Sequence, residues 1–211
     1  MAEIIPSINA ATFDEVQARI KKVEPYVSWC HLDVTDGVFS AHPTWRDPAD
    51  LSRLQMKLKC EVHLMVERPE GIIDQWLVEP IRRVIVHLEA TKNPEVIVQK
   101  CRSAGREIGF AINPETPWET LRPWFGKVDV VLPLGVPPGA SGQTPDWDII
   151  FGKIAAIRQA CPSCIIEADG GVNVSIASRA CAAGADILVA GSAIFDSSDI
   201  ASVIAVLRRA D

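Results

Sequence analysis

The sequence contains no apolar run long enough to cross a membrane, and no basic segment precedes an apolar one in its N-terminus, MAEIIPSINAATFDE. We therefore predict neither a transmembrane segment nor a secretory signal. Basic residues are also fewer than acidic ones: the chain has 21 Lys and Arg and 27 Asp and Glu. No basic patch is interleaved with aromatic residues. We expect no nucleic-acid partner, no membrane partner and a cytoplasmic location.

Clustered cysteines are absent as well. Six cysteines are scattered through 211 residues, which excludes a small domain held together by disulfides. We interpret them as reduced residues of the core. Cys161 and Cys164 form one CxxC pair without a second such pair, and we interpret this pair as incidental. With 48% apolar and 23% charged residues, the chain is predicted to form one globular domain over residues 1–211.

The sequence shows a regular alternation of short β-rich runs and helical patterns. The predicted strands lie near 3–8, 27–34, 60–66, 82–88, 106–112, 128–134, 163–168 and 186–190. The predicted helices span 12–24, 94–104, 117–125, 146–160, 173–183 and 198–209, with weaker patterns at 47–57 and 69–78. Eight strand–helix units predict an α/β fold, the (β/α)8 TIM barrel. An open, doubly wound sheet is the alternative, but IIPSINAATF has no glycine for a nucleotide loop after the first strand.

Two histidines and two aspartates lie near the ends of predicted strands: His31 and Asp33 in WCHLDVTDG, His63 in CEVHLMV and Asp169 in IIEADGG. Residues two apart in a strand point to the same face, so His31 and Asp33 project together. In a TIM barrel the carboxyl ends of the strands converge on one mouth. Two imidazoles and two carboxylates there can hold a divalent metal, and the carboxylates can also move protons.

Each of these residues also has a structural interpretation. A histidine in an apolar strand is more often hydrogen-bonded in the core than a metal ligand, and an aspartate before glycine is usually a turn former, as we expect for Asp36. Burying all four groups together would be costly unless they paired or bound a cation, so their combination favours a site.

Glycine-rich loops follow the last three predicted strands. Gly170, Gly171, Gly191 and Ser192 can present backbone N–H groups to an anion such as phosphate. The longer segment GVPPGASGQ, residues 135–143, is predicted to cover the ligand as a lid, with a surface loop stiffened by prolines as the alternative.

These segments resemble the ribulose-phosphate 3-epimerase family. PSI, HLDVTDGVF, HLMVERPE, VHLEAT, INPETPWETL, PPGASGQ, DGGV and AGADILVAGSAIF occur in the family's order over residues 6–195. The resemblance implies one divalent metal per chain, most often zinc, held by His31, Asp33, His63 and Asp169. The ligand set would also suit manganese, iron or cobalt.

The resemblance further implies that Asp33 and Asp169 act as the acid/base pair through a metal-stabilised enediolate. The implied substrate-binding residues are Ser7, His63, Met65, Gly139, Ser141, Gly142, Gly170, Gly171, Gly191 and Ser192. The implied reaction converts ribulose 5-phosphate to xylulose 5-phosphate, in pentose phosphate metabolism.

The sequence departs from the family pattern at the floor and lid of the pocket. Thr35 and Leu134 replace methionines, His42 aligns with an Asn, and Gly139–Gly142 replaces a GFGG-like loop. Ile8-Asn9 stands where Ile-Leu is usual. These changes leave open a phosphorylated ketohexose such as allulose 6-phosphate as substrate, or an inactive sugar-phosphate-binding barrel. Decarboxylation of the orotidine-phosphate type is disfavoured, because Asp33 and Asp36 enclose no lysine. Whether the chain forms a homo-oligomer is open.

Overall fold

The fold is a closed barrel of eight parallel strands arranged in sequence order, in a computed structural model that describes residues 2–54, 56–139 and 145–209. The strands are β1 Glu3–Ile8, β2 Trp29–Thr35, β3 Lys59–Met65, β4 Ile81–His87, β5 Glu107–Ile112, β6 Val130–Pro133, β7 Ile165–Ala168 and β8 Ile187–Ala190. Pairing of β8 with β1 closes the barrel. The predicted TIM barrel is therefore confirmed, whereas the single-domain boundary at 1–211 stays a prediction.

The helices of the described residues surround this barrel. They are α1 Phe13–Val23, α2 Pro94–Ser103, α3 Trp147–Ala160, α4 Val174–Ala183, α5 Ser192–Phe195 and α6 Ile200–Arg208. Helix α1 begins at the expected capping box, in which the Thr12 hydroxyl accepts from the Glu15 N–H and the Glu15 carboxylate accepts from the Thr12 N–H. None of the described helices is long and apolar enough to span a membrane.

Three predicted helices take another form. The segment predicted at 117–125 is a 3-10 helix, Trp118–Trp124, which contains Pro123 and therefore lacks one backbone donor that an α-helix would use. The weaker patterns at 47–57 and 69–78 become 3-10 turns, Pro48–Arg53, Pro69–Gly71 and Ile73–Trp76, and a further one is Leu88–Ala90. The alternation of strands and connections is right, but three connections form 3-10 turns in place of the predicted helices.

The interpretation of all six cysteines as reduced is wrong for one pair. Cys161 and Cys164 form a disulfide in the turn between α3 and β7, where their Cα atoms lie 5.4 Å apart. This separation is within the usual range for a disulfide, and the turn brings the two residues together. Cys30, Cys60 and Cys101 are buried thiols, as expected.

The inside of the barrel is filled by two apolar clusters with charged side chains between them. The clusters comprise Ile5, Trp29, Val130, Ile187 and Val189, and Ile85, Ala111, Leu132 and Leu134. Four further buried side chains belong to His31, Glu61, Arg83 and Glu167, each at most 5% exposed. Strand alternation directs all of these inward, so the polar residues share the interior with apolar ones. The mouth of the barrel therefore rests on a layer of buried charge.

Two glycines test how tightly this framework is packed. Gly152 lies in the interior of α3 with open space where a Cβ would go, so Gly152→Ala should raise the free energy of unfolding by about 0.5–1 kcal/mol. On β5, a Cβ on Gly109 would lie 3.0 Å from Ile85 Cγ1 and 3.3 Å from the Val130 carbonyl oxygen, so Gly109→Ala should lower it by about 1–3 kcal/mol. Urea unfolding of both variants measures these changes, and equal effects would contradict this account of the interior.

Candidate metal centre and substrate cavity

The structure brings the four predicted metal ligands together at the carboxyl ends of the strands. His31 and Asp33 lie on β2, His63 is the register partner of Asp33 on β3, and Asp169 directly follows β7. One ligand atom from each of the four lies within 4.8 Å of the others. Period-two spacing and barrel topology are thus sufficient to gather the cluster.

The geometry of the cluster suits a tetrahedral cation. The His31 Nε2 atom lies 3.3 Å from Asp33 Oδ1 and 4.0 Å from Asp169 Oδ2, and the His63 Nδ1 atom lies 3.8 Å from each of the same two oxygens. Atoms bound about 2.0–2.2 Å from a tetrahedral metal are about 3.4 Å from one another. Both histidine nitrogens are buried without a hydrogen-bond partner among the described residues, which is unfavourable unless a cation binds them. The donor set therefore fits a divalent metal.

A buried ion pair holds His31 in the tautomer that this requires. His31 Nδ1 lies 2.8 Å from Glu61 Oε1, so Nδ1–H donates to Glu61, and Nε2 is the atom that would present a lone pair to a cation once its proton is lost. Arg83 Nη1 donates to Glu61 Oε2 at 2.7 Å, and Arg83 Nε donates to Glu107 at 2.8 Å. The carboxylate that orients the histidine is thus fixed in turn by a cation from β4.

His31, Glu61 and Glu167 form a second close group of potential ligands. There Arg83 already supplies positive charge, because its Nη1 lies 3.8 Å from Glu167 Oε2 as well as contacting Glu61. Burial and the negative charge of Glu61 raise the pKa of Glu167 to about 8, so this carboxyl carries a proton at neutral pH. We interpret this lower group as support for His31.

His63 is oriented by a different partner. Its Nε2 lies 2.9 Å from His87 Nε2, and the two rings are nearly parallel, with their centroids 4.9 Å apart. If His63 Nε2–H donates to His87, then Nδ1 of His63 is free for the cluster and the His87 proton is on Nδ1, 3.5 Å from Glu89 Oε2. Burial and the charges of His87 and His31 lower the pKa of His63 well below its usual range, which keeps it a neutral ligand.

The proton affinities of Asp169 and His31 are both raised in this cluster. Burial raises the pKa of Asp169 to about 7, and the negative charge of Asp33 adds to the rise. Its Oδ1 accepts from the Gly170 N–H at 2.7 Å, which turns Oδ2 toward the histidines. Burial opposes protonation of His31, but contacts with Asp33, Glu167 and Glu61 outweigh it and raise its pKa well above the usual range.

A cavity of about 680 Å³ opens beside the cluster. The predicted substrate residues that line it are Ser7, Met65, Gly139, Gly170, Gly171, Gly191 and Ser192. His63 is fully buried in the cluster, and Ser141 and Gly142 lie outside the described residues. A Cβ on Gly191 would lie 2.7 Å from the Ser7 hydroxyl oxygen, so this loop approaches β1 more closely than a larger residue allows. The Gly170 N–H is engaged by Asp169, whereas the expectation was that it would face an anion.

Two departures from the family pattern have structural consequences. The buried Thr35 hydroxyl donates to the His42 carbonyl, so it is satisfied by backbone and adds no free polar group to the pocket. Asn9 Nδ2, directly after β1, donates to the Gly139 carbonyl at 3.1 Å and so connects the last described residue before position 140 to the end of that strand. Asp36 caps its own loop as expected, accepting from the N–H groups of Val38 and Phe39.

Sequence reasoning missed the residues that support the ligands. These are Glu61, Arg83, His87, Glu89 and Glu167. The available signal was periodicity, since Glu61 and Glu167 each precede a predicted ligand by two residues and so share its face. Charged residues at such positions in otherwise apolar strands indicate a polar interior.

The matching family model and the similar curated proteins indicate the same family, and a solved structure supports the fold. The model of the ribulose-phosphate 3 epimerase family matches residues 3–195. A ribulose-phosphate 3-epimerase of Schizosaccharomyces pombe is 33% identical, over 99% of this chain and 93% of its own length. One from Methanocaldococcus jannaschii is 34% identical, over 100% of this chain and 91% of its own length. A solved 3-hexulose-6-phosphate synthase from Salmonella typhimurium has a TM-score of 0.74 at 15% identity, covering 99% of this chain and 97% of its own, and this likeness shows the fold alone.

The Glu61 carboxylate offers the first test of the metal centre. Glu61→Gln keeps the side-chain shape but weakens the acceptor for His31 Nδ1–H, and we expect zinc affinity to fall about 10- to 100-fold. Glu107→Gln is the matched control, because it neutralises another carboxylate that contacts Arg83 and is not one of the carboxylates paired with His31 in the described residues. Competition with a chromogenic chelator measures both affinities. Equal affinities for Glu61→Gln and wild type would contradict the orienting role.

Proton release gives a second test. Asp169 and His31 have raised pKa values in the metal-free protein, so each keeps its proton until the pH rises and must lose it to bind a cation. Metal affinity should therefore increase with pH, by at least about tenfold per unit below pH 7. Chelator competition between pH 5.5 and 8.5 checks this, with chelator affinity corrected at each pH. An affinity independent of pH over that range would refute it.

Proposed function

The chain belongs to the ribulose-phosphate 3-epimerase family, which consists of isomerases acting on sugar phosphates, and on that premise we propose that it interconverts ribulose 5-phosphate and xylulose 5-phosphate. The reaction inverts carbon 3 of the phosphorylated ketopentose. The observation that supports it is the pair of carboxylates, Asp33 and Asp169, which approach the same two histidines from strands on different sides of the mouth.

Inversion requires two proton-transferring groups, one on each face of the reacting carbon. We assign these roles to Asp33 and Asp169. One carboxylate removes the carbon-3 proton, and the other delivers a proton to the opposite face. The reaction is reversible, so each group acts as base in one direction and as acid in the other. Both line the cavity and are within reach of a bound sugar.

The proposed cofactor is one divalent metal, with zinc as the first candidate, held by His31, Asp33, His63 and Asp169. When bound, such an ion polarises the ketone and stabilises the negative charge that forms when the carbon-3 proton leaves. Ser7 and Met65 line the sugar end of the cavity. The loops carrying Gly171, Gly191 and Ser192 supply backbone N–H groups for the phosphate.

Exchange of the carbon-3 hydrogen with solvent tests this proposal directly. The protein is incubated with ribulose 5-phosphate in heavy water, with and without a chelator, and deuterium at carbon 3 is followed by NMR. We expect deuterated xylulose 5-phosphate that disappears with the chelator. The same experiment with allulose 6-phosphate shows whether a phosphorylated ketohexose is the better substrate. Tight binding of either sugar phosphate without hydrogen exchange would support an inactive sugar-phosphate-binding barrel.

Substitution of either aspartate separates the two proton transfers. Asp33→Asn and Asp169→Asn should each lower the rate of inversion at least about 100-fold, because each removes one general acid/base. One of them can still allow slow exchange on a single face. Asp14→Asn, on the exposed surface of α1, serves as the control and should keep wild-type turnover. Wild-type turnover by either active-site variant would refute the two-base scheme.

A further inference from the structure

Arg19 lines the same cavity as the predicted phosphate loops. It lies on α1, and it is the only lysine or arginine among the described residues that line the cavity. Its side chain is neither fully exposed nor fully buried. The family resemblance assigned no residue of α1 to the substrate site, so its position was not expected.

An aromatic contact fixes the guanidinium of Arg19 against one of the glycine loops. Its Cζ atom lies 5.2 Å from the centroid of the Phe195 ring. Phe195 ends α5, the one-turn helix that starts at Ser192, and its N–H donates to the Gly191 carbonyl at 3.0 Å. The positive charge is thus attached to the turn that carries Gly191 and Ser192.

Arg19 makes no ion pair within the described ranges 2–54, 56–139 and 145–209. A carboxylate lies within 4.0 Å of each of Arg53, Arg82, Arg83, Arg102, Arg106, Arg158 and Arg179. Other arginines of the described ranges also lack an ion pair, but Arg19 is the one of them that lines this cavity. Nor do its five N–H donors form a hydrogen bond to any described residue. A partly buried guanidinium on a cavity wall, with donors to spare, is suited to bind an oxyanion.

The charge around the cavity gives this cation a specific use. The chain carries a formal net charge of −6, and the cavity is lined by three carboxylates, Asp33, Asp169 and Asp196. A metal would offset the first two at the sugar end. Asp196 lies beside the glycine loops, where its negative charge would oppose the binding of a phosphate dianion to the backbone N–H groups.

We propose that Arg19 binds the phosphate group of the substrate. The inference rests on the proposed function for the identity of that substrate, but it concerns phosphate recognition alone. Arg19 adds a charged, side-chain contact to the backbone N–H groups of the loops around Gly171 and Gly191. It is a substrate-binding residue that takes no part in proton transfer.

Inorganic phosphate is the probe for the first test, because its binding needs no turnover. Binding is measured by calorimetry on the metal-loaded protein for wild type, Arg19→Gln, Arg19→Lys and Lys21→Gln. Lys21 is an exposed cation two residues along the same helix, so Lys21→Gln matches the loss of charge. We expect Arg19→Gln to weaken phosphate binding about tenfold, Arg19→Lys to recover part of it, and Lys21→Gln to change it less than twofold.

Steady-state kinetics give the second test. In Arg19→Gln the KM for ribulose 5-phosphate should rise about tenfold while kcat stays within twofold, because a phosphate contact is made equally in the ground and transition states. Carbon-3 exchange of unphosphorylated ribulose should be unchanged. A structural role of Arg19 in docking α1 would instead lower the melting temperature and reduce exchange of both sugars.

The outcomes separate this inference from the proposed function. Equal phosphate binding by wild type and Arg19→Gln overturns the role of Arg19, whatever reaction the protein performs. So does a loss of activity that is the same for the phosphorylated and unphosphorylated sugars. If phosphate binding depends on Arg19 but wild type does not epimerise ribulose 5-phosphate, the proposed function fails and the inference stands.

Discussion

Carboxylates enclosed in a barrel interior need positive partners. In this protein two groups of carboxylates lie in the interior, and His31 contacts both of them. Below it, Glu61 and Glu167 both lie within 4.0 Å of the guanidinium of Arg83. Above it, Asp33 and Asp169 lie within 4.0 Å of His31 and His63 and pair with no lysine or arginine of the described residues. Because Nδ1 of His31 is committed to Glu61, Nε2 is the atom left for the mouth. The upper group thus lacks the permanent cation that the lower group has, and this imbalance suits the mouth to the divalent metal that we propose.

The interior charges compete with packing for the same space. The two apolar clusters fill nine of the inward positions of the barrel, and the Arg83 guanidinium lies over the Trp29 ring, 4.6 Å from its centroid. Apolar side chains there would stabilise the barrel at least as well as a buried ion pair does. What the ion pair adds is orientation, since an apolar residue at position 61 would leave His31 free to choose either tautomer. The polar layer is therefore better explained by the needs of the mouth than by those of the fold.

Much of this arrangement could be predicted from the sequence because it depends on local periodicity. Alternation within β2 puts His31 beside Asp33, and the order of strands brings His63 and Asp169 to the same edge. The role of Arg83 could not be predicted this way. Its contact with Glu61 depends on the register between β3 and β4, and its contact with Glu167 depends on the distance across the barrel. The Cys161–Cys164 disulfide and the 3-10 form of Trp118–Trp124 depend on the path of the chain between the strands. The periodicity of apolar residues does not predict that path.

The two ends of the cavity are formed by different kinds of structure, strands at one end and loops at the other. This difference explains why the position of Arg19 could not be predicted from the sequence. The metal end is made from strand residues whose directions are set by barrel alternation. The other end is made from loops, and its positively charged side chain, that of Arg19, comes from α1. The rotation of α1 about its own axis decides whether Arg19 faces the cavity. Phe195 provides the surface that Arg19 packs on, so the position of the charge depends on contact between the first and last strand–helix units. Closure of the barrel between β8 and β1 is therefore needed for recognition at this end as well as for the fold.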